Sequence, residues 1–316
     1  MSEPLPSASR RRARLRARRR RRALVLLALT IGVVYAVSSF VSHLVAGDDP
    51  AAVAEQAPAA ASAPAAADSA ASGVEAGTCA APAVVDALSA GSDDDVITAF
   101  GGGAAFRDAV ASDGAPCIDL HDASRLWVVV NKRNALEPLE YWPTPQGRPE
   151  STRIVAGGYL LQRTASALDE LSAAVTDAGA GTVAVSSGFR PYAFQVETYQ
   201  RHVANRGQAA ADLRSARPGH SEHQTGLAVD VVACDGGGCG DHDGFGGTPQ
   251  SDWIVDNAWR FGFIVRYESG RTPTTGYSPE PWHLRYLGEE LAAAYHQGGY
   301  ETLEEFFGLD DAPDYT

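Results

Sequence analysis

The chain has 316 residues and a formal net charge of −13, from 39 acidic and 26 basic side chains. The charge is unevenly placed: residues 10–22 hold ten arginines, so residues 23–316 carry about −22. An acidic body excludes the phosphate backbone of a nucleic acid as its main partner, because that partner needs a positive patch.

The arginine-rich tip, residues 1–22, runs directly into residues 23–46, a stretch without Asp, Glu, Lys or Arg. Such a run is long enough to cross the ~30 Å hydrocarbon core of a bilayer. Arginines on its amino-terminal side keep that end cytoplasmic and put the rest of the chain outside. A cleaved signal peptide is the rival, but its apolar region is shorter and ends on a small-residue site. Leu44-Val45-Ala46-Gly47 serves that purpose poorly, so the reading is an uncleaved single-pass anchor. Residues 47–78 are rich in Ala, Pro and Ser, with almost no large apolar side chain. They cannot bury enough surface to offset their ordering entropy, and read as a linker that lifts the body off the membrane.

Residues 79–120 read as a short helical collar, with apolar spacing at 84–88 and 96–100. The four cysteines, Cys79, Cys117, Cys234 and Cys239, form an even set in an exported body and point to two disulfides. Gly236-Gly237-Gly238 lets Cys234 close on Cys239, which leaves Cys79 for Cys117. Trp127-Val128-Val129-Val130 reads as a buried strand. Lys132, the only lysine, reads as a solvated loop residue. Residues 158–178 have a helical period, with Leu160, Leu161, Ala165, Leu168, Leu171, Ala174 and Val175 on one face. Thr182-Val183-Ala184-Val185 makes a strand that ends on Ser186, Ser187 and Arg190, and residues just past a strand end are both held and exposed. A helix over 194–208 follows, with Gln195 on its first turn. Pro218-Gly219-His220 breaks the chain, and His220 is read as lining a cleft. The glycine-rich loop 235–247, with Asp235, Asp241, His242 and Asp243, reads as a solvated acidic loop. Then come a helix over 254–260, a strand over 261–267, a helix over 288–297 and an acidic tail at 311–316. Residues 121–310 form the main domain. His121, His202 and His296 carry no motif.

Two stretches carry chemistry. Ser221-Glu222-His223-Gln224-Thr225-Gly226-Leu227-Ala228-Val229-Asp230 offers an imidazole and a carboxylate, and Glu280-Pro281-Trp282-His283 offers a second pair. His223, Asp230 and His283 make a three-ligand set that leaves a fourth position open for water, the arrangement of a catalytic zinc. Glu280 is then free to take a proton from that water. Asp230 interrupts an apolar run of strand length, where an unpaired carboxylate is costly, so it needs a cation or strong donors. An arginine partner for Asp230, a core position for His283 and a surface ion pair for Arg190 are the plainer alternatives.

The pattern Ser-x-His-x-x-Gly-x-Ala-x-Asp followed by Glu-x-Trp-His resembles the VanY-type D-alanyl-D-alanine carboxypeptidases, members of a zinc superfamily that includes lysostaphin-like endopeptidases and the hedgehog domain. The likeness extends to Val129-Val130-Asn131-Lys132, Ser187-Gly188-Phe189-Arg190-Pro191-Tyr192 with Gln195 and Tyr199, Phe261-Gly262-Phe263 and Thr275-Gly276-Tyr277, and covers roughly 121–290. It implies one Zn²⁺ on His223, Asp230 and His283, Glu280 as catalytic base and Arg190 as the group that polarises the substrate. Ser221, Gln195, Ser187 and Tyr192 are the candidates for holding the peptide end. Phe189-Arg190-Pro191 departs from the more usual Tyr-Arg-Ser, which bears on the pocket lining. The implied fold is α+β, a small antiparallel sheet carrying the ligands with helices packed around it; the strand and helix signals alone also permit α/β.

These readings converge on a membrane-anchored, extracytoplasmic zinc D,D-carboxypeptidase that removes the terminal D-alanine from peptidoglycan stem peptides. An L,D-carboxypeptidase or a peptidoglycan endopeptidase is the alternative within the superfamily. A non-catalytic wall-binding module is the alternative of another class.

Overall fold

The computed structural model describes residues 78–315. The arginine-rich tip, the anchor at 23–46 and the linker up to residue 77 lie outside them. Among the described residues no helix is long and apolar enough to cross a membrane.

Three short helices open the described chain: α1 (Pro82–Ala90), α2 (Asp93–Ala99) and α3 (Gly103–Ala111). Ser92 caps α2 by accepting from the Asp95 amide, and three aspartates occupy its first turn, where the helix dipole favours negative charge. The Cys79–Cys117 disulfide spans this collar, the pair left once Cys234 closes on Cys239. Its apolar side chains, among them Val84, Ile97 and Phe106, share a core with Leu291, Leu303 and Phe306 from α9 (Glu289–Gly298) and α10 (Leu303–Phe307).

The sheet is mixed, not wholly antiparallel. Its order is β2 (Arg153–Ile154), β4 (Thr182–Ser187), β5 (Ala228–Asp235), β8 (Glu280–Tyr286), β7 (Phe263–Tyr267), with β6 (Gly238–Cys239) paired to β5. β2 runs parallel to β4, and every other pairing in this sheet is antiparallel. A parallel edge strand needs a crossover, and α4 (Gln162–Asp177) supplies it. Ala165, Leu168, Leu171 and Val175 of that helix are buried, the face predicted from their spacing. Leu160 and Leu161 precede the helix and form β3, paired with β1 (Gln146–Gly147). The remaining helices are α5 (Tyr192–Arg206), α6 (Gln208–Asp212), α7 (Pro249–Asn257) and α8 (Thr272–Thr275). The Cys234–Cys239 disulfide ties β5 to β6.

Two sequence expectations fail here for physical reasons. Trp127–Val130 is not a strand of any sheet. Its side chains do alternate: Leu126, Val128 and Val130 enter the core under the sheet, while Trp127 and Val129 enter the collar core. The guanidinium of Arg285 takes the place of a neighbouring strand, Nη2 donating to Leu126 O (2.9 Å) and Val128 O (2.7 Å). Lys132 is buried, not solvated. Its Nζ donates to Gly276 O (2.6 Å) and lies 4.8 Å from the centre of the Tyr277 ring, so a carbonyl and a π face take the place of water. The acidic tail is also docked: Ala312 N donates to Thr274 O, and Tyr315 packs under Arg217.

Candidate metal centre and cleft

The centre of the sheet assembles the three proposed ligands. Asp230 on β5 faces His283 on β8 as a register pair, and directly opposed residues of neighbouring strands bring their side chains together. His223 arrives from the 3₁₀ turn Glu222–Thr225, which ends at Gly226 in the left-handed conformation (φ 72°) before β5 begins. A side chain at Gly226 would meet Leu161 N at 2.7 Å, so glycine is required there on two counts. Glu280 opens β8. Strand alternation would send positions three apart to opposite faces. Here four steps of β8 face two of β7 between the pairs Val265–Leu284 and Tyr267–Glu280, and this irregularity returns Glu280 to the side of His283.

The result is a tight cluster. His283 Nδ1 lies 3.1 Å from Asp230 Oδ1, His223 Nε2 lies 3.3 Å from Asp230 Oδ2, and Glu280 Oε2 is 3.8 Å from His283 Nδ1. All three ligand residues are buried, and one ligand atom from each lies within 4.8 Å of the others. His223 Nε2 and Asp230 Oδ1 make no hydrogen bond of good geometry despite those short distances, so both atoms are available to a ligand. Two imidazoles and a carboxylate are a donor set for zinc. Ligands about 2.0–2.1 Å from a tetrahedral ion sit roughly 3.3 Å apart, close to the separations seen here. The residues therefore fit one divalent cation.

The backing of each ligand fixes which atom points inward. His223 Nδ1 donates to Gly188 O (2.8 Å), which leaves Nε2 bare. His283 Nε2 donates to Glu222 Oε2 (3.2 Å), which turns Nδ1 toward Asp230. Burial and the nearby Arg190 hold His223 down to about 4, so it is neutral and able to ligate. Burial opposes charge on His283 too, but the close carboxylate of Asp230 and the hydrogen-bonded Glu222 outweigh it and lift the ring to about 9 in the metal-free protein. A cation would replace that proton. Asp230 is held well below the usual carboxylate range by the two imidazoles, against its burial. Burial pushes Glu280 up to about 7, with Asp230 adding to the rise and His283 and Arg190 opposing it.

A cleft of about 390 Å³ opens on this cluster. Arg190 lines it, half-buried, with its Nε buried and unpartnered, and desolvation lowers its affinity for a proton. Ser221 also lines it. Gln195, Ser187 and Tyr192 do not. Gln195 is buried behind the wall, its amide donating to Ala216 O (2.7 Å) and Ser215 Oγ (3.4 Å), and both of those residues face the cleft. Ser187 sits at the end of β4 in register with Asp230. Tyr192 begins α5. His220 does not line the cleft either: its ring sits edge-on to Tyr315 and its Nδ1 is bonded to Asn131 O.

Sequence reasoning missed three groups. His242, assigned to a solvated loop, lines the cleft with its ring stacked on Trp282 and its Nε2 2.6 Å from Ser186 Oγ. His202, given no role, lines it beside Arg206 and Arg214. Glu222 was passed over although it adjoins a ligand. A carboxylate flanked by Ser221 and His223 at the head of an apolar run was the available signal.

The sequence is related to known proteins. A profile of the VanY family, described as D-alanyl-D-alanine carboxypeptidase, matches residues 157–289. The putative carboxypeptidase YodJ of Bacillus subtilis (strain 168) is 35% identical over 206 residues, 64% of this chain and 73% of that protein. A D-alanyl-D-alanine carboxypeptidase of Enterococcus faecalis is 40% identical over 138 residues, 40% of this chain and 47% of that one, so this chain spans about half of that relative's length. Among solved structures, the LdcB LD-carboxypeptidase superposes with a TM-score of 0.54 at 34% identity, covering 58% of this chain and 86% of the other. These matches agree on a carboxypeptidase with a mixed α+β fold. The chain belongs to the VanY family.

Proposed function

We propose that this protein is a zinc-dependent D,D-carboxypeptidase that removes the terminal D-alanine from peptidoglycan stem peptides, tethered outside the bacterial membrane by residues 23–46. The observation that carries the reading is the convergence of three buried ligand residues, two with an unsatisfied atom, beside the carboxylate of Glu280.

His223, Asp230 and His283 would hold one Zn²⁺, which when bound would supply the Lewis acidity that acidifies a water and polarises a carbonyl. Glu280 accepts a proton from the attacking water and returns it to the departing amine. Burial raises the proton affinity of this carboxyl, which favours its taking up that proton. Arg190, with its unpartnered Nε, donates to the carbonyl oxygen as negative charge gathers there. Ser221 faces the same space and holds the peptide end. Gln195 contributes indirectly by fixing Ser215 and Ala216. Arg190, Arg206 and Arg214 set three guanidinium groups into the cleft wall, among the carboxylates of Asp241, Asp243 and Glu280, and offer a substrate's terminal carboxylate cationic partners within an acidic body.

The likeness to LdcB favours a second reading, an L,D-carboxypeptidase acting on tetrapeptides. Incubating the purified chain with stem pentapeptide, tetrapeptide and cross-linked dimer separates the two. The first reading expects D-alanine from the pentapeptide. Release from the tetrapeptide alone moves the assignment to the second, and cleavage of the dimer alone moves it to an endopeptidase. A zinc-loaded protein inert on all three is a binding module.

A further inference from the structure

A chain of fully buried charges leads from His283 into α10, beyond the region that the family profile matches. We infer that Glu304 is a positioning residue for the metal centre: by occupying the terminal nitrogens of Arg266, it leaves Glu222 one oxygen free to orient His283. The inference rests on the metal reading above.

The argument is an accounting of donors. Glu222 has two oxygens and three partners. Its Oε1 accepts from Arg266 Nε (2.9 Å) and Arg285 Nη1 (3.0 Å), and its Oε2 accepts from His283 Nε2 (3.2 Å). Arg285 makes no further demand, because its Nη2 and Nε are taken by the carbonyls of Leu126, Val128 and Tyr286. Arg266 is different. Its Nη1 and Nη2 donate to Glu304 Oε2 (3.0 Å) and Oε1 (2.8 Å), a bidentate pair. Without that carboxylate, two charged donors are buried and unpaired beside Glu222. Guanidinium groups favour two-point contact with a carboxylate. The contact open to Arg266 is then Glu222 Oε2, the atom that orients His283.

Glu304 is itself held in place. Asn131 Nδ2 donates to its Oε1 (3.0 Å), and Asn131 Oδ1 accepts from the Arg133 and Asn134 amides. Thr302 caps α10 by accepting from Glu305 N, which fixes where the helix begins. The side chains of Arg266, Arg285, Glu222 and Glu304 are all fully buried, so water cannot substitute for a missing partner.

The test is zinc affinity of the full chain, by chelator competition, in wild type, Glu304→Gln and Asn131→Ala, with the visible spectrum of the Co²⁺ form as a second readout. Loss of an outer partner of a metal-bound histidine typically weakens binding about 10–100-fold. We expect a weakening of that size in Glu304→Gln with shifted Co²⁺ bands, and a smaller weakening in the same direction in Asn131→Ala. A role confined to packing lowers the melting temperature and moves neither readout. Wild-type affinity and spectrum in Glu304→Gln overturn the inference; if that variant does not fold, unchanged affinity in Asn131→Ala does so. A wild type that binds no zinc overturns the metal reading first and this one with it.

Discussion

The two histidines of the centre are supported in opposite ways. His223 leans on a backbone carbonyl, Gly188 O, a neutral acceptor fixed by the loop that follows β4. His283 leans on an ionised carboxylate, itself held by two buried arginines. One side of the site is set by chain geometry and the other by charge balance. Each support fails differently: geometry is disturbed by added volume, and charge balance by neutralising any one member.

The largest effect is expected where both sides meet. Glu280→Gln should retain zinc and lower kcat by about two to four orders of magnitude, the range for loss of a general base. Steady-state kinetics on the zinc-loaded protein checks this. The same substitution should stabilise the metal-free protein at high pH. Burial raises the folded-state pKa of Glu280 to about 7 from 4.5. Between those values the unfolded chain gives up its proton first, so stability falls as pH rises through that window and is fully restored below about 4.5. The advantage of Glu280→Gln should reach roughly 3 kcal/mol above pH 7 and disappear in acid, as urea unfolding at several pH values would reveal.

On the charge-held side, Arg266→Met leaves Glu222 and Glu304 both buried without their shared cation. Breaking a buried pair in this way costs about 3–5 kcal/mol. A melting temperature within a degree of wild type would contradict the network. On the geometry-held side, Gly188→Ala would place a Cβ 2.3 Å from Tyr159 O. Overpacking of this kind costs about 1–3 kcal/mol, and here it should displace the carbonyl under His223 and weaken zinc. Glu304→Gln adds no atoms and is expected to act on the other histidine, so the pair tests the division. Tyr315→Ala is the mildest. It removes a ring under Arg217 (4.2 Å) and a hydroxyl contact to Tyr277, which lines the cleft. About 1 kcal/mol of stability and a modest rise in KM are expected.

What could be read from the sequence follows the same division. His223, Asp230, His283 and Glu280 were legible because two short motifs carry them, each within a turn or strand that local sequence sets. Both disulfides were legible from count and spacing. The supports were not. Glu222 meets Arg266 and Arg285 across 44 and 63 residues, and Glu304 meets Arg266 across 38. No local pattern announces such partners. The same blindness explains Trp127–Val130, whose alternation is genuine but whose backbone is met by a guanidinium rather than a strand. It explains Lys132 as well, since nothing near a lone lysine in sequence tells of Tyr277 and Tyr315 closing over it.

The central claim is that one cation joins His223, Asp230 and His283. Crystals of the zinc-loaded protein, measured on both sides of the zinc absorption edge, test it most directly. The account predicts one anomalous peak per chain within bonding distance of His223 Nε2, the Asp230 carboxylate and His283 Nδ1. A peak elsewhere, or none in protein that carries stoichiometric zinc, would contradict it.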